Sequence, residues 1–399
     1  MTVTHSPITQ TPITLSRKGS TPKAKGVPPL VEQLKGGLDA PICLTWELTY
    51  ACNLACVHCL SSSGRRDPKE LTTAEALSVV DQLAALQVFY INIGGGEPMI
   101  RKDFFDIVDH AVSRNVGVKF STNGYYIDQA AAERFAAMDL LDIQISLDGF
   151  DAETNDAVRG QGSWEAARRA MDNLAAANFG EFKISIVATR HNVDQLDDYK
   201  LMADDYGAQL RVTRLRPSGR GVDSYQDLRL THPQQQQIFR WILDHPDVLT
   251  GDSFFHLNAL GTDSGEALPG LNLCGAGRIV CLIDPIGDVY ACPFVIHDNF
   301  MAGNVRDQGG FANVWRESDL FQELREPGSA GACASCGSYD ACGGGCMAAK
   351  FFTGIPLDGP DPDCALGHAD EAVAAAAGSV PHSSQDHSRP VRLGAKPTL

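Results

Sequence analysis

The chain has 399 residues, 44% of them hydrophobic, which is enough apolar material for about two or three domains with buried cores. Its 33 Lys and Arg against 49 Asp and Glu give a formal net charge of −16, which disfavours nucleic acid as a partner. There is no run of about 18 apolar residues and no secretion signal, so we expect a cytoplasmic protein without membrane contact. Twelve cysteines in such a chain indicate metal or cluster ligation before disulfide bonds.

The two ends of the chain are poor in apolar residues. Residues 1–28 are rich in Thr, Ser, Pro and Lys, and we predict a disordered arm there. Residues 379–399 combine Ser and Pro with scattered basic residues, which predicts a disordered tail. We interpret His382 and His387 in that tail as solvated side chains rather than metal ligands.

Between these ends, short β-branched or apolar runs alternate with amphipathic runs over residues 43–215. The runs predict strands at Cys43–Leu48, Val88–Ile93, Val116–Ser121, Leu141–Leu147, Lys183–Ala188 and Gln209–Leu215. Helical patterns follow the Thr72/Glu75 capping box, Lys102, Ile127, Ser163 and Val193. Repeated strand–helix units indicate a parallel sheet with right-handed crossovers, closed or partly closed as a barrel. A doubly wound open sheet is the alternative.

The pattern changes in the second half of the chain. Pro233–Leu243 predicts a helix, whereas residues 251–270 predict mostly loop. From residue 274 to about 366 the periodicity fades and cysteines become dense, as in a small domain held together by metal rather than by a large core. We therefore place a barrel domain at 41–235, a linker region at 236–273 and a small domain at 274–366.

A CxxxCxxC motif of Cys52, Cys56 and Cys59 follows the first predicted strand. Three thiolates on a short loop can hold three irons of a [4Fe-4S] cube and leave the fourth iron open to a small chelating molecule. The alternative is a zinc site, which needs four protein ligands and would recruit His58 or a remote residue. The spacing favours the cluster.

Glycine-rich and hydroxyl-rich segments follow the next three predicted strands. They are Gly94-Gly95-Gly96-Glu97-Pro98, Ser121-Thr-Asn-Gly124 and Ser146-Leu-Asp-Gly149. Backbone without side chains allows a ligand to approach a strand end closely. Because the carboxyl ends of the strands in a parallel barrel share one face, we expect these segments and the cysteine loop to converge on one site.

Together, the CxxxCxxC motif and Gly95-Gly96-Glu97-Pro98 resemble the radical S-adenosylmethionine (SAM) enzymes, over most of residues 43–215. The resemblance implies an α/β fold with a partial (β/α)6 TIM-like barrel, and SAM chelated to the open iron. It implies that Gly95, Gly96, Glu97 and Pro98 hold the methionyl amine. It places His58 beside the adenine, where most members carry Tyr or Phe. Ser146 and Arg159 are the implied partners of the SAM carboxylate, although a surface salt bridge is an equal alternative for Arg159.

The remaining cysteines form a second array in the predicted small domain. Its members are Cys274, Cys292, Cys333, Cys336, Cys342, Cys346 and Cys364. Seven thiolates at these spacings suit two further clusters or two zinc ions. Adding Cys281 gives eight ligands, four for each site, and leaves Cys43 as an ordinary buried strand residue.

The spacing of this array is similar to that of the SPASM domain, an iron–sulfur domain of radical SAM enzymes that modify peptides. The resemblance covers residues 274–366 and implies three [4Fe-4S] clusters in the whole chain. Auxiliary cluster I would be held by Cys274, Cys281, Cys292 and Cys346. Auxiliary cluster II would be held by Cys333, Cys336, Cys342 and Cys364. Without Cys281, the first auxiliary cluster would have an open iron.

Individual residues and short stretches distinguish the subfamilies of SPASM enzymes. Pro293 follows Cys292, where the sulfatase maturases carry an acid. Longer stretches resemble the mycofactocin maturases, namely Arg214–Gly221, Gly251–Asn258, Leu271–Gly277 and Met347–Gly354. That resemblance implies oxidative decarboxylation of the C-terminal Tyr of a short precursor peptide ending in Val-Tyr, followed by a C–C cross-link between the Val and Tyr remnants.

The same resemblance implies two protein partners. A small separate peptide-chaperone protein would present the precursor, because the sequence before Pro41 is too short for a peptide-recognition domain. An electron-donor protein would supply reducing equivalents. The alternatives are another SPASM peptide maturase, forming a thioether or a quinone cofactor, and a non-enzymatic iron–sulfur electron carrier.

Overall fold

A computed structural model of the chain describes residues 34 and 36–376, apart from residues 181, 252, 269–273 and 327–329. The predicted arm at 1–28 and the predicted tail at 379–399 lie outside the described residues. In the part of the chain that the structure describes, every helix is too short or too polar to cross a membrane.

A single sheet organises the described residues. Its strands are β1 Cys43–Thr49, β2 Tyr90–Gly95, β3 Gly117–Thr122, β4 Leu141–Ser146, β5 Lys183–Ala188, β6 Gln209–Arg214, β7 Val280–Ile283, β8 Asp288–Tyr290 and β9 Met301–Asn304. Their spatial order is β6-β5-β4-β3-β2-β1-β7-β8-β9. Strands β1 to β6 pair in parallel, β7 pairs in parallel with the other edge of β1, and β8 and β9 are antiparallel.

The strand order decides between the two predicted architectures. A doubly wound sheet reverses its strand order at a switch point. Here each strand from β1 to β6 is added on the same side of its predecessor, which is the winding of a barrel. The predicted partial barrel is confirmed, and each of its strands lies within two residues of its predicted ends.

Helices connect the strands and cover the outside of the barrel. They are α1 Thr73–Ala85, α2 Phe104–Ser113, α3 Gln129–Ala136, α4 Ala152–Arg159, α5 Ser163–Ala176, α6 Leu196–Tyr206, α7 Gly221–Leu228 and α8 His232–Asp244. The second half adds α9 Gly310–Glu317, α10 Asp319–Arg325, α11 Tyr339–Cys342, α12 Met347–Phe352 and α13 Asp370–Ala376. The predicted capping box before α1 is present: Thr72 accepts from the Glu75 N–H, and Glu75 accepts from the Thr72 N–H.

The described part of residues 251–270 is mostly loop, as predicted, but it includes a short 3₁₀ helix at Phe255–Gly261. Phe255 and Leu257 are buried there in the main core. The 3₁₀ helix forms because these apolar side chains join the main core beside α8 and α11, and no local periodicity predicts that contact.

Strand β1 shows how the barrel separates its apolar outside from its polar inside. Leu44, Trp46 and Leu48 lie in the same core cluster as the buried face of α1. Because successive strand residues point to opposite faces, Thr45 and Glu47 point to the barrel interior. Both are nevertheless buried. The carboxyl ends of the parallel strands open on one edge of this interior, where the predicted site residues lie.

Candidate active site

The first cysteine loop leaves the end of β1 and returns beside it. The Cys52 N–H donates to the Gly64 carbonyl at 2.9 Å, which closes the loop at its base. Burial raises the pKa of Cys52 above its usual range, and negative charge on Cys56 and Cys59 adds to the rise. Burial also raises the pKa of Cys56, to about 11. All three cysteines are half-buried. As thiolates, three side chains on one loop would need a cationic partner, because uncompensated charge away from water is costly.

The glycine segment after β2 packs directly against this loop. The Gly96 N–H donates to the Thr49 carbonyl at 2.7 Å, and the Glu97 N–H donates to the Ala51 carbonyl at 2.9 Å. A Cβ at Gly96 would lie 2.0 Å from the Ala51 oxygen, so only glycine permits this approach. A Cβ at Gly94 would meet nothing within 4 Å. There is therefore open space on the interior side of β2, next to the cysteine loop.

Glu97 connects the glycine segment to the end of β3. Its buried carboxylate accepts from the Thr122 hydroxyl at 2.9 and 3.0 Å and from the Asn123 N–H at 2.9 Å. Burial raises the pKa of Glu97 to about 7, against the lowering effect of these hydrogen bonds. The Asn123 amide then donates to Asn53 in the cysteine loop at 2.9 Å. Two of the predicted segments and the loop thus form one hydrogen-bonded unit.

A buried carboxylate at the end of β4 holds two predicted SAM-binding residues. Asp148 Oδ2 lies 2.7 Å from His58 Nε2 and 2.7 Å from Arg159 Nε. Burial would raise the pKa of Asp148, but the Arg159 guanidinium and then His58 outweigh it and hold that pKa well below its usual range. The Nδ1 atom of His58 is buried without a hydrogen-bond partner among the described residues. A ligand beside this ring could hydrogen-bond to Nδ1, whereas Nε2 already contacts Asp148.

Arg159 lies at the end of α4, against the cysteine loop. Its side chain is 11% exposed and its main-chain carbonyl accepts from the Cys56 thiol at 3.7 Å. The surface salt bridge considered from sequence is therefore not the arrangement found. Ser146 ends β4 and pairs in register with Ser185 of β5. Both predicted partners of the SAM carboxylate lie at the carboxyl edge of the barrel.

The second cysteine array divides into two groups. In the first, burial raises the pKa values of Cys274 and Cys292, and negative charge on Cys346 adds to both rises. These three thiols are therefore close neighbours. The Cys346 N–H donates to Asp361 Oδ2 at 2.7 Å.

The second group lines one small pocket. Its cysteines are Cys333, Cys336, Cys342 and Cys364. Asp361 and His368 line the same pocket. These are the four cysteines that the sequence resemblance assigns to auxiliary cluster II. Across the described residues, no three His, Cys, Asp or Glu side chains surround the position of a single metal ion.

Cys281 does not lie with the group of Cys274, Cys292 and Cys346. It is fully buried on β7, in register with Leu44 of β1, and belongs to the main apolar core. Burial raises its pKa, with a further contribution from Cys43 and an opposing one from Arg325. Strand alternation turns the thiol toward the core, so the structure does not support Cys281 as a ligand of auxiliary cluster I.

Comparisons with known proteins agree with this architecture. A family model described as the radical SAM superfamily matches residues 46–202, and one described as an iron–sulfur cluster-binding domain, SPASM, matches residues 274–337. Mycofactocin maturase MftC of Mycolicibacterium smegmatis is 63% identical over 92% of this chain and 93% of its own length. MftC of Mycobacterium ulcerans is also 63% identical, over 91% of this chain and 98% of its own.

The chain belongs to the mycofactocin maturase family of radical SAM enzymes. Among solved structures, SuiB of Streptococcus suis bound to its precursor peptide SuiA has a TM-score of 0.67, with 16% identity. It covers 83% of this chain and 77% of SuiB, and at this identity the likeness is one of fold. This family member is accordingly an enzyme that uses SAM and [4Fe-4S] clusters.

The described residues fit these cofactors. The first loop offers three half-buried thiols and no fourth cysteine, with open space at Gly94 and a His58 nitrogen without a hydrogen-bond partner nearby. Soft thiolate donors suit iron–sulfur clusters, and an open iron is what a SAM-binding cluster needs. The two downstream groups offer three and four thiols.

Three residues of this site were not predicted from the sequence. Asp148 is present in the segment Ser146-Leu-Asp-Gly149, but its partners His58 and Arg159 are distant in sequence. Asp361 and Arg220 also contact the cysteine segments, through the Cys346 N–H and the Cys56 carbonyl. The only sequence signal for Asp148 is its position directly after a predicted strand.

Proposed function

We propose that this enzyme oxidatively decarboxylates the C-terminal Tyr of a short precursor peptide ending in Val-Tyr, and then joins the Val and Tyr remnants through a C–C bond. The observation that carries the proposal is the 63% identity to mycofactocin maturases over more than nine-tenths of both chains. Pro293 directly after Cys292 supports it against sulfatase maturation. The first change removes carbon dioxide and two hydrogens from the peptide, a two-electron oxidation. The second change is redox-neutral.

Cys52, Cys56 and Cys59 would hold the SAM-binding cluster. Cys274, Cys292 and Cys346 would hold the first auxiliary cluster, and Cys333, Cys336, Cys342 and Cys364 the second. When bound, the first cluster and SAM supply a 5′-deoxyadenosyl radical that takes hydrogen from an unactivated carbon, with SAM as the net oxidant. All other roles in the reaction belong to the protein's own residues.

The chain's residues would bind and orient SAM at the carboxyl edge of the barrel. The Gly95-Gly96 backbone brings main-chain polar groups to the open space at Gly94, where a methionyl amine can be held. Arg159 and Ser146 would bind the carboxylate. His58 would lie beside the adenine, with its ring orientation fixed by the 2.7 Å contact to Asp148. Asp148 is thus a positioning residue for both His58 and Arg159.

The barrel interior would aim the peptide. Glu97 ties the ends of β2 and β3 to the cysteine loop, so the edge that faces SAM is held rigidly. A rigid, water-excluding site matters because a primary carbon radical reacts with whichever C–H bond is nearest. Partners complete the proposal: a small peptide-chaperone protein to present the precursor, and an electron-donor protein to reduce the enzyme.

The decisive experiment is a mass analysis of the peptide product. Reduced enzyme, SAM, the peptide chaperone and a precursor ending in Val-Tyr should yield a peptide that has lost carbon dioxide and two hydrogens. It should then become cross-linked without further mass change. A precursor ending in Val-Ala should not be decarboxylated, because the aromatic ring is needed to delocalise the intermediate left after hydrogen abstraction.

Two results would overturn the proposal. One is decarboxylation of the Val-Ala precursor at the rate of the native one. The other is a thioether formed in a cysteine-containing peptide, which would favour the thioether-forming SPASM maturases instead. In both cases the membership of the radical SAM family would stand.

A further inference from the structure

Two buried polar side chains in the barrel interior each have an atom without a hydrogen-bond partner. They are Glu47 of β1 and Gln144 of β4, which are 1% and 3% exposed. Glu47 Oε2 and Gln144 Oε1 have no partner among the described residues. Buried polar atoms in native proteins are normally hydrogen-bonded, so two such atoms beside an open space indicate a place where a polar ligand binds.

Strand alternation turns both side chains to the barrel interior. Glu47 points inward, as every second residue of β1 does. Ile143 and Ile145 belong to the main apolar core, so Gln144 between them points to the interior as well. Glu47 is in register with Gly94 of β2, where a Cβ would meet nothing within 4 Å.

The register of the next strands puts Gln144 at the same level of the barrel. Gln144 pairs in register with Ser121 of β3. Ile93 of β2 pairs with Phe120 of β3, so the residues that follow them, Gly94 and Ser121, are neighbours. Strands β1 to β4 therefore hold the two unpaired atoms on either side of the open space at Gly94.

Glu47 lies close to the loop of the proposed SAM-binding cluster. A hydrogen bond with Ser61 lowers the pKa of Glu47, but burial and then the charge of Asp284 outweigh it and raise that pKa to about 8. The Ser61 hydroxyl also lies 3.8 Å from Cys59 Sγ. Glu47 carries a proton at neutral pH, so its carboxyl group can donate as well as accept a hydrogen bond.

Gln144 lies one level below the proposed SAM carboxylate site. Its Nε2 donates to Ser121 Oγ at 2.8 Å, which leaves Oε1 as the atom without a partner. Ser146, the proposed partner of the SAM carboxylate, is two residues further along β4, a rise of about 6.6 Å. That rise is comparable to the length of a tyrosyl side chain from Cβ to hydroxyl. A Tyr with its Cβ at the level of SAM can therefore reach the level of Gln144 with its hydroxyl.

We propose that Glu47 and Gln144 bind the phenolic hydroxyl of the precursor's C-terminal Tyr and thereby select Tyr over Phe. A phenol both donates and accepts, so it can pair with both side chains at once. A Phe ring in the same place would expel water and leave both groups unpaired, which costs about tenfold in affinity for each group. The inference rests on the proposed function, which supplies the identity of the terminal residue.

The test is equilibrium binding to the iron-loaded, oxidised full chain with SAM, because the oxidised enzyme does not cleave SAM and consumes no peptide. Fluorescence anisotropy follows a labelled precursor, presented by the peptide chaperone and ending in Val-Tyr or Val-Phe. The native enzyme should bind the Val-Tyr precursor about a hundredfold more tightly than the Val-Phe precursor, since two groups are left unpaired by Phe.

Variants that keep the length of each side chain but lose its hydrogen bonds should reduce this preference. Gln144→Met and Glu47→Met should each lower the ratio to about tenfold, and the double variant should bind the two precursors about equally. Each Met variant should also bind the Val-Phe precursor at least as tightly as the native enzyme does. A merely structural role for these residues would not improve the affinity for Phe.

Two control variants separate hydrogen bonding from general effects of substitution. Gln129→Met is the matched control, because this glutamine is exposed at the start of α3 and donates to Glu133. It should keep the native ratio. Glu47→Gln keeps a donor and an acceptor at the same place, so it should keep most of the preference for Tyr. Iron content and circular dichroism are compared for every variant.

Equal affinity of the native enzyme for the two precursors would overturn the inference. A native ratio in both Met variants at full iron content would overturn it as well. If one Met variant does not load iron, the other decides.

Failure of the proposed reaction is distinguishable from failure of this inference. An enzyme that prefers the Tyr terminus through these two residues, but releases no decarboxylated peptide when reduced, would retain the binding site and lose the reaction. Decarboxylation of the Val-Tyr precursor without any preference for Tyr over Phe in binding would retain the reaction and lose the site.

Discussion

The barrel and the cysteine-rich half hold their functional groups by opposite means. In the barrel, Phe104, Phe120 and Phe135 are fully buried and pack edge to face or tilted, with ring centroids 5.2 to 6.4 Å apart. In the other half, the elements around the cysteines are short, such as the four residues of α11 and the six of α12. Helices of that length have little stability of their own.

We expect folding of the barrel to be independent of cluster binding. In the cysteine-rich half we expect the two processes to be coupled. The barrel places its cysteine loop on the end of a strand that apolar packing already holds, so the loop can lose its cluster and keep its position. In the cysteine-rich half the segments that carry the cysteines are short, and the free energy of binding their clusters is also free energy of folding.

The strongest test of this contrast removes the ligands of the barrel loop. A chain with Cys52, Cys56 and Cys59 all replaced by Ala should form no 5′-deoxyadenosine from SAM, because no open iron is left to bind it. Its downstream clusters should keep their iron, and its far-ultraviolet circular dichroism should match that of the native chain. Chromatography measures 5′-deoxyadenosine, and iron analysis measures the downstream clusters. Normal SAM cleavage by this variant would contradict the ligand assignment.

The second test removes one ligand of the cysteine-rich half. Cys342→Ala should lower iron content and the midpoint of thermal unfolding together, because the cluster also stabilises its domain. Cys281→Ala is the matched control. It should leave iron unchanged and cost only about 1 kcal/mol, since this cysteine is an apolar core residue. Loss of iron in Cys281→Ala would show that Cys281 is a cluster ligand after all.

The third test concerns the seam between the halves, where Glu47 of β1 lies near Asp284, which follows β7. Burial, and then the charge of Asp284, raises the pKa of Glu47 to about 8. The native chain therefore keeps a proton that the unfolded chain releases above about pH 4.5. Stability should fall as the pH rises from about 4.5 to about 8.

Replacing Glu47 should flatten that dependence. Glu47→Gln is neutral at every pH, so the fall in unfolding free energy between pH 5 and 8 should shrink by about 1 to 3 kcal/mol. Urea unfolding under anaerobic conditions measures it. Glu133→Gln, on the exposed face of α3, serves as the control. Parallel curves for the native chain and Glu47→Gln would show that Glu47 is ionised in the native state.

Most of the barrel was predictable because its signals are local. Alternating apolar residues define the strands, the Thr72/Glu75 box starts α1, and the repeated strand–helix units indicate a parallel sheet. The linker was less predictable. The 3₁₀ helix at Phe255–Gly261 exists through packing against a distant surface, and its own sequence has no helical period.

Spacing along the chain was enough to predict the repeated strand–helix units, the family and the grouping of most cysteines. The strand order of the sheet and the contacts between distant side chains could be read only from the folded structure. Cys281 has suitable spacing for a cluster ligand, but its register with Leu44 turns it into the core. Asp148 meets His58 from 90 residues away, and Arg220 meets Cys56 from 164 residues away. Such pairs are set by strand register and side-chain direction, which no spacing in the sequence contains.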